Sequence, residues 1–180
     1  MPPAPEAARL TCDNRSVIDP RGRLRALGVG VFDAEPGGDP ALDAREYGEL
    51  LASLARSDAR LRAAIPCLLA RHDGPRAAAA VRAAIARLPK DDGRTLAFLY
   101  RIARCLVVSR GPDLRDRGLH PLLPAIPEEP AEIPGPDEML GEEGPWVASE
   151  LARERGQPDL AGDAGSMFDL WLRLPAHEPA

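Results

Sequence analysis

Between residues 43 and 110 the apolar side chains recur at the spacing of one face of an α-helix, which restricts this chain to helices packed on helices. Tyr47, Leu50, Leu51 and Leu54 stand at i, i+3, i+4 and i+7 behind Asp43 and Glu46, an acidic N-cap answered three residues on by a glutamate. Leu61, Ile65, Leu68 and Leu69 form a second stripe that Ser57 or Asp58 can cap. Pro66 lies inside that stripe. It lacks a backbone donor and clashes with the carbonyl four residues earlier, so a kink or break is expected there. The sequence His72-Asp73-Gly74 ends the element, and Pro75 opens a third helix at a position that tolerates proline. Its inner face is Ala78, Val81, Ile85 and Leu88, and the alanine run 77–80 is thin enough for a neighbouring helix to come close. Leu88-Pro89 stops it. Asp91 or Asp92 is expected to cap the longest helix, 93–110, whose buried face is Leu96, Leu99, Tyr100, Ala103, Leu106 and Val107. The short polar connections favour antiparallel neighbours.

Outside this block the pattern weakens. Residues 1–40 read as an irregular arm, in which the segment LRALGVGVF (24–32) has the composition of a short strand interrupted by Gly28 and Gly30. Residues 111–136 contain seven prolines and three glycines, and no helix is expected there. Leu114, Leu119, Leu122, Leu123, Ile126 and Ile133 are spread through the stretch, so it should drape over the core. Pro145 then opens a helix carrying Trp146, Val147 and Leu151, and Asp163 caps a last one carrying Met167, Phe168, Leu170, Trp171 and Leu174, closed by Pro175. The fold expected is all-α, an irregular bundle of about six helices. A four-helix core (41–110) is followed by a proline-rich acidic connector (111–142) and a two-helix C-terminal unit (143–176) packed on the core. The tetrapeptide RAAI recurs at 62–65 and 82–85, the trace that HEAT-like pairs would leave, although one four-residue match does not make an array.

Chemistry is sparse. No HExxH, GxSxG, phosphate-binding loop or Cys/His set with ligand spacing occurs, and Gly28-Val29-Gly30 is not a dinucleotide fingerprint. Cys12, Cys67 and Cys105 are far apart, and the last two lie in apolar helical stretches as small buried hydrophobes. His72 at a helix end, His120 before a proline and His177 near the end form no set. The sequence therefore offers no catalytic, cofactor-binding or metal-binding residue. With no apolar leader and no apolar run long enough to span a bilayer, a cytoplasmic protein is expected.

Charge is divided along the chain. Residues 1–120 carry 20 basic and 15 acidic side chains, and residues 121–180 carry 3 and 13. The acidic C-terminal third would repel nucleic acid but could meet a basic protein surface. Glu128, Glu129 and Glu132, with Trp146 and Trp171, are the residues through which a protein partner would be engaged. Twenty-two of the 23 basic residues are arginines, Lys90 being the exception. Arg21, Arg23 and Arg25, near Arg9 and Arg15, are the best candidates for an alternative, nucleic-acid-binding role, because arginine forks onto phosphate oxygens. No aromatic residues are interleaved with them for base stacking. A third alternative is a small helical enzyme whose site is assembled only by the fold.

Five segments carry a family resemblance: ARSDARLRAAIPCLLARH (55–72), TLAFLYRIARCL (95–106), LHPLLP (119–124), LGEEGPWVASELARERG (140–156) and MFDLWLRL (167–174). In this order they resemble a group of small helical bacterial proteins encoded beside nucleotidyltransferase-domain proteins, in an arrangement like a toxin–antitoxin or defence pair. The resemblance covers residues 41–175, about three quarters of the chain. It implies a partner role, binding and restraining a nucleotidyltransferase-type protein, and no cofactor.

Overall fold

The computed structural model describes residues 20–26, 29, 43–71, 74–129 and 160–174, and these form an all-α bundle with no strand among them. The helices are α1 (Pro20–Ala26), α2 (Ala44–Ala55), α3 (Ala59–Ala63), α4 (Ile65–Arg71), α5 (Gly74–Ile85), α6 (Lys90–Ser109), α7 (Gly111–Asp116) and α8 (Leu160–Arg173). The capping box forms as expected at α2. Asp43 Oδ1 accepts from the Glu46 amide at 2.7 Å, and the Asp43 amide donates to Glu46 Oε2 at 3.1 Å. Asp58, rather than Ser57, caps α3 by accepting from the Leu61 amide at 3.0 Å. The expected break at Pro66 is a single-residue turn at Ala64 that separates α3 from α4. Pro66 becomes the second residue of α4, where its missing amide costs no hydrogen bond. That break also places the two RAAI segments differently: the first straddles it, and the second lies wholly inside α5.

Helix α6 is the centre of the bundle, packed against α2, α4, α5, α7 and α8. Its whole expected face is buried. It starts three residues earlier than the acidic pair suggested, with Pro89 at the N-cap and no side-chain cap. Asp91 and Asp92 lie in the first turn, where their charge complements the helix dipole. Helix α5 packs closely on α2, and Gly48 of α2 faces the Ala80 carbonyl. Helix α8 closes the bundle over α3, α4 and α6. It too begins early, four residues before an Asp163 cap would start it, so Asp163 is a first-turn residue and not the cap. Residues 145–156, expected as a helix, lie outside the described residues.

Two expectations fail. Residues 24–26 do not begin a strand but end α1, with Leu24 fully buried and its carbonyl accepting from the Val29 amide at 3.0 Å. Pro20 supplies a preset first helical position, and burial of Leu24 outweighs the weak strand preference of a glycine-interrupted segment. The proline-rich stretch does contain a helix, α7, because Pro112 falls at its second residue, where the first amides have no intrahelical partner. Gly118, at φ 70°, closes α7. Its amide donates to Arg115 O at 2.8 Å, and the Leu119 amide donates to Leu114 O at 2.9 Å, the paired bonds of a Schellman ending.

From that ending the chain leaves as a strap, residues 119–129, laid between α5 and α6. Gly74 permits the contact. A Cβ there would stand 2.5 Å from the carbonyl carbon of Leu122 and closer still to its oxygen. Gly74→Ala is therefore expected to destabilise by about 1–3 kcal/mol or more, since the obstacle is backbone. Helix propensity alone would favour alanine by roughly 1 kcal/mol. A urea unfolding midpoint equal to or above the wild-type value would contradict the seating of the strap.

Candidate functional site

The strap is built on a repeat of three. Pro121, Pro124 and Pro127 recur every third residue, as does Pro130 just beyond, and a polyproline II helix has about three residues per turn. The repeat sorts the other residues onto two faces. Leu123 and Ile126 are buried against the bundle, and Glu129 continues their register inward, its side chain only 3% exposed. Leu122, Ala125 and Glu128 point outward. Leu122 is 80% exposed, more than any other large apolar side chain among the described residues.

An extended segment of this kind cannot satisfy its own backbone, and α6 does so for it. Tyr100 Oη donates to Pro124 O at 2.7 Å, and Arg104 Nε donates to Leu123 O at 3.1 Å. The strap then turns, the Glu129 amide donating to Ile126 O at 3.1 Å, and the Glu129 carboxylate folds back beneath it. Its Oε1 accepts from the Ile126 amide at 3.3 Å, and its Oε2 accepts from Arg101 Nη1 at 2.8 Å and Arg104 Nη1 at 2.6 Å. Residues 100, 101 and 104 share one side of α6 because a helix brings i, i+3 and i+4 together. One carboxylate thus joins two guanidinium groups and the strap backbone in a partly dry pocket, where charge-assisted bonds are strongest.

Burial, and then the negative charge of Glu129, push the Tyr100 hydroxyl up to about 12, while the Arg104 charge works the other way. Burial pushes the Cys105 thiol up to about 11 and raises the Cys67 thiol as well. The folded state therefore keeps protons that the unfolded chain releases at ordinary phenol and thiol values. Stability contributed by these groups is complete below about pH 9 and falls as pH rises through the interval from 9 to 12. Tyr100→Phe should cost about 0.5–1.5 kcal/mol at pH 7, the worth of one neutral hydrogen bond, and should flatten the decline above pH 10. Urea midpoints measured from pH 7 to 11 check both parts.

A second feature is an open cleft of about 480 Å³ at the junction of α6, α7 and α8, lined by Arg110, Asp113, Asp116, Arg117, Asp169, Leu172 and Arg173. Its charges are balanced, three arginines against three aspartates. Arg110 forks onto Asp169 at 2.9 and 3.3 Å. Arg117 lies over the Trp171 ring, 5.5 Å from its centre, and donates to Leu174 O. The Arg110–Asp169 fork ties α8 to the junction of α6 and α7. Among the described residues, no group of three or more His, Cys, Asp or Glu side chains is placed to hold a metal ion. None of their helices is long and apolar enough to cross a membrane.

The residues singled out in the sequence are dispersed. Glu128 lies on the strap's outer side with its carboxylate 3.8 Å from Arg82, and Glu129 is consumed by the Arg101–Arg104 clamp. Trp171 is a core residue, 1% exposed, and its ring meets Phe168 edge-on at 5.3 Å. Glu132 and Trp146 lie outside the described residues. Arg21, Arg23 and Arg25 belong to α1, and Arg21 is 3.5 Å from the Asp58 carboxylate. At about 100° per residue, positions 21 and 23 of a helix point well apart, so α1 does not gather them on one face. Sequence reasoning missed Tyr100, Arg101, Arg104 and Gly74 as a unit, although the three-residue proline spacing was the signal that could have found them.

No family model matches the chain, and no curated protein or solved structure matches it.

Proposed function

We propose that the protein is a cytoplasmic, non-enzymatic interaction module that docks a protein partner through the outer ridge of its strap. The nucleotidyltransferase-type protein implied by the family resemblance is the partner, bound in an antitoxin-like way. The observation that carries this reading is Leu122. The bundle commits Gly74, Tyr100, Arg101, Arg104 and Glu129 to holding one segment still, and that segment turns a leucine into solvent. A large apolar side chain presented on a rigid ridge loses little conformational freedom on binding, which is what an interface anchor requires.

The test is to mix the chain with the nucleotidyltransferase-domain protein that the resemblance expects to be encoded beside it and measure complex formation by size-exclusion chromatography with light scattering. A complex at micromolar concentration is expected, weakened at least tenfold by Leu122→Glu, a loss of about 1.4 kcal/mol or more. Because Leu122 is exposed, the variant should keep its helical circular dichroism. Absence of a complex, or a folded Leu122→Glu protein that binds as tightly as wild type, would sink the reading.

A further inference from the structure

We infer that the groove between α5 and α6 is a receptor for proline-rich peptide segments that end in a carboxylate, and that residues 119–129 of the chain occupy it as a tethered ligand. Four features define the ligand class. Side chains of α6, and not the strap itself, supply donors to the consecutive carbonyls of Leu123 and Pro124. Gly74 removes the side chain that would hold a backbone away from the groove floor. Buried positions take an apolar side chain at every third residue, Leu123 and then Ile126. Beyond Ile126 the chain turns, the Glu129 amide donating to Ile126 O, and Arg101 and Arg104 take the carboxylate of Glu129. Aromatic and polar donors that read the carbonyls of a preformed, low-entropy proline helix are the means by which proteins bind proline-rich peptides in trans. The pattern read is Leu-Pro-x-Ile-Pro-x-Glu, corresponding to residues 123–129. Arginine pairs favour a carboxylate at the last position through charge-assisted bonds.

Covalent attachment gives the strap an effective concentration in the groove on the order of millimolar, so an added peptide competes poorly with it in the intact protein. Loosening the strap should reverse that. The probe is a fluorescein-labelled synthetic peptide of residues 119–129, LHPLLPAIPEE, titrated with the full-length protein and followed by fluorescence anisotropy. Against the Glu129→Gln protein the peptide is expected to bind at least tenfold more tightly than against wild type. A peptide carrying Glu129→Gln should lose that gain, and one carrying Leu122→Glu should keep it, because position 122 faces away from the groove. The last arm separates this site from the outer ridge proposed above, since either can fail without the other. Should the Glu129→Gln protein lack native helical circular dichroism, the Ile126→Ala protein, which keeps the carboxylate and loosens only the apolar anchor, replaces it in the same titration. No saturable binding to a folded, loosened variant, or binding that ignores the carboxylate, would overturn the inference.

Discussion

Replacing Glu129 with alanine is expected to lower the unfolding free energy by roughly 3–5 kcal/mol, toward the lower end of that range, the cost of removing one partner from a buried ion pair. The change leaves Arg101 and Arg104 without their carboxylate and the Ile126 amide without its acceptor. Their side chains are 16% and 17% exposed, so each guanidinium can recover part of its hydration by moving outward, which sets the lower end. Glu129→Gln should cost less, because its single amide oxygen can still accept either from the Ile126 amide or from the arginines. Both variants lack the charge, so the difference between them measures the remaining hydrogen bonding and packing of the amide, and the cost of Glu129→Gln against wild type contains the loss of the charge. Urea unfolding of both proteins gives the numbers, and a loss below about 1 kcal/mol for the alanine variant would place this pair among ordinary surface salt bridges.

The second large effect lies in α8. Trp171→Ala should cost about 3–5 kcal/mol, the usual range for emptying the site of a buried aromatic residue. In a protein of this length each kcal/mol shifts the melting temperature by about 2–4 °C, so the transition should fall by roughly 6–20 °C. The ring is the largest fully buried side chain among the described residues and fixes α8 against the rest of the bundle. It also meets Phe168 edge-on and Arg117 across its face, and both contacts disappear with it. Trp171→Phe should retain a good part of the stability. An alanine variant melting within a few degrees of wild type would mean that α8 contributes little to the cooperative unit. Either way, a side chain this deeply buried serves the core, and a partner cannot reach it in the folded chain.

The parts of the fold that were legible in the sequence are those in which local preference and burial agree. The Asp43–Glu46 capping box, the stripe of Tyr47, Leu50, Leu51 and Leu54, the break at Pro66 and the long face of α6 each combine a terminus signal with a 3.6-residue repeat. Where the two disagree the reading failed. Leu24 draws residues 20–26 into a helix although the glycines beyond it suggest a strand, and Pro112 ends no helix because it stands in a first turn. Proline counting treated residues 111–136 as uniform, whereas the spacing of the prolines, not their number, carries the structural information for the strap. The clamp was beyond sequence reasoning for a different reason. Glu129 looks like one more member of an acidic run, and only tertiary contact with α6 selects it from Glu128, its exposed neighbour.

Amide hydrogen exchange, followed residue by residue in the intact protein, bears most directly on whether the strap is seated as described. Along residues 121–129 three positions are prolines without an amide, and the signal rests on Ile126 and Glu129, whose amides donate to Glu129 Oε1 and Ile126 O. Both should exchange at least about a hundredfold more slowly than a free chain, as part of a cooperative unit with α6, and Glu129→Ala should abolish the protection of both. Free-chain exchange at these two amides in the wild-type protein would show that the clamp does not hold.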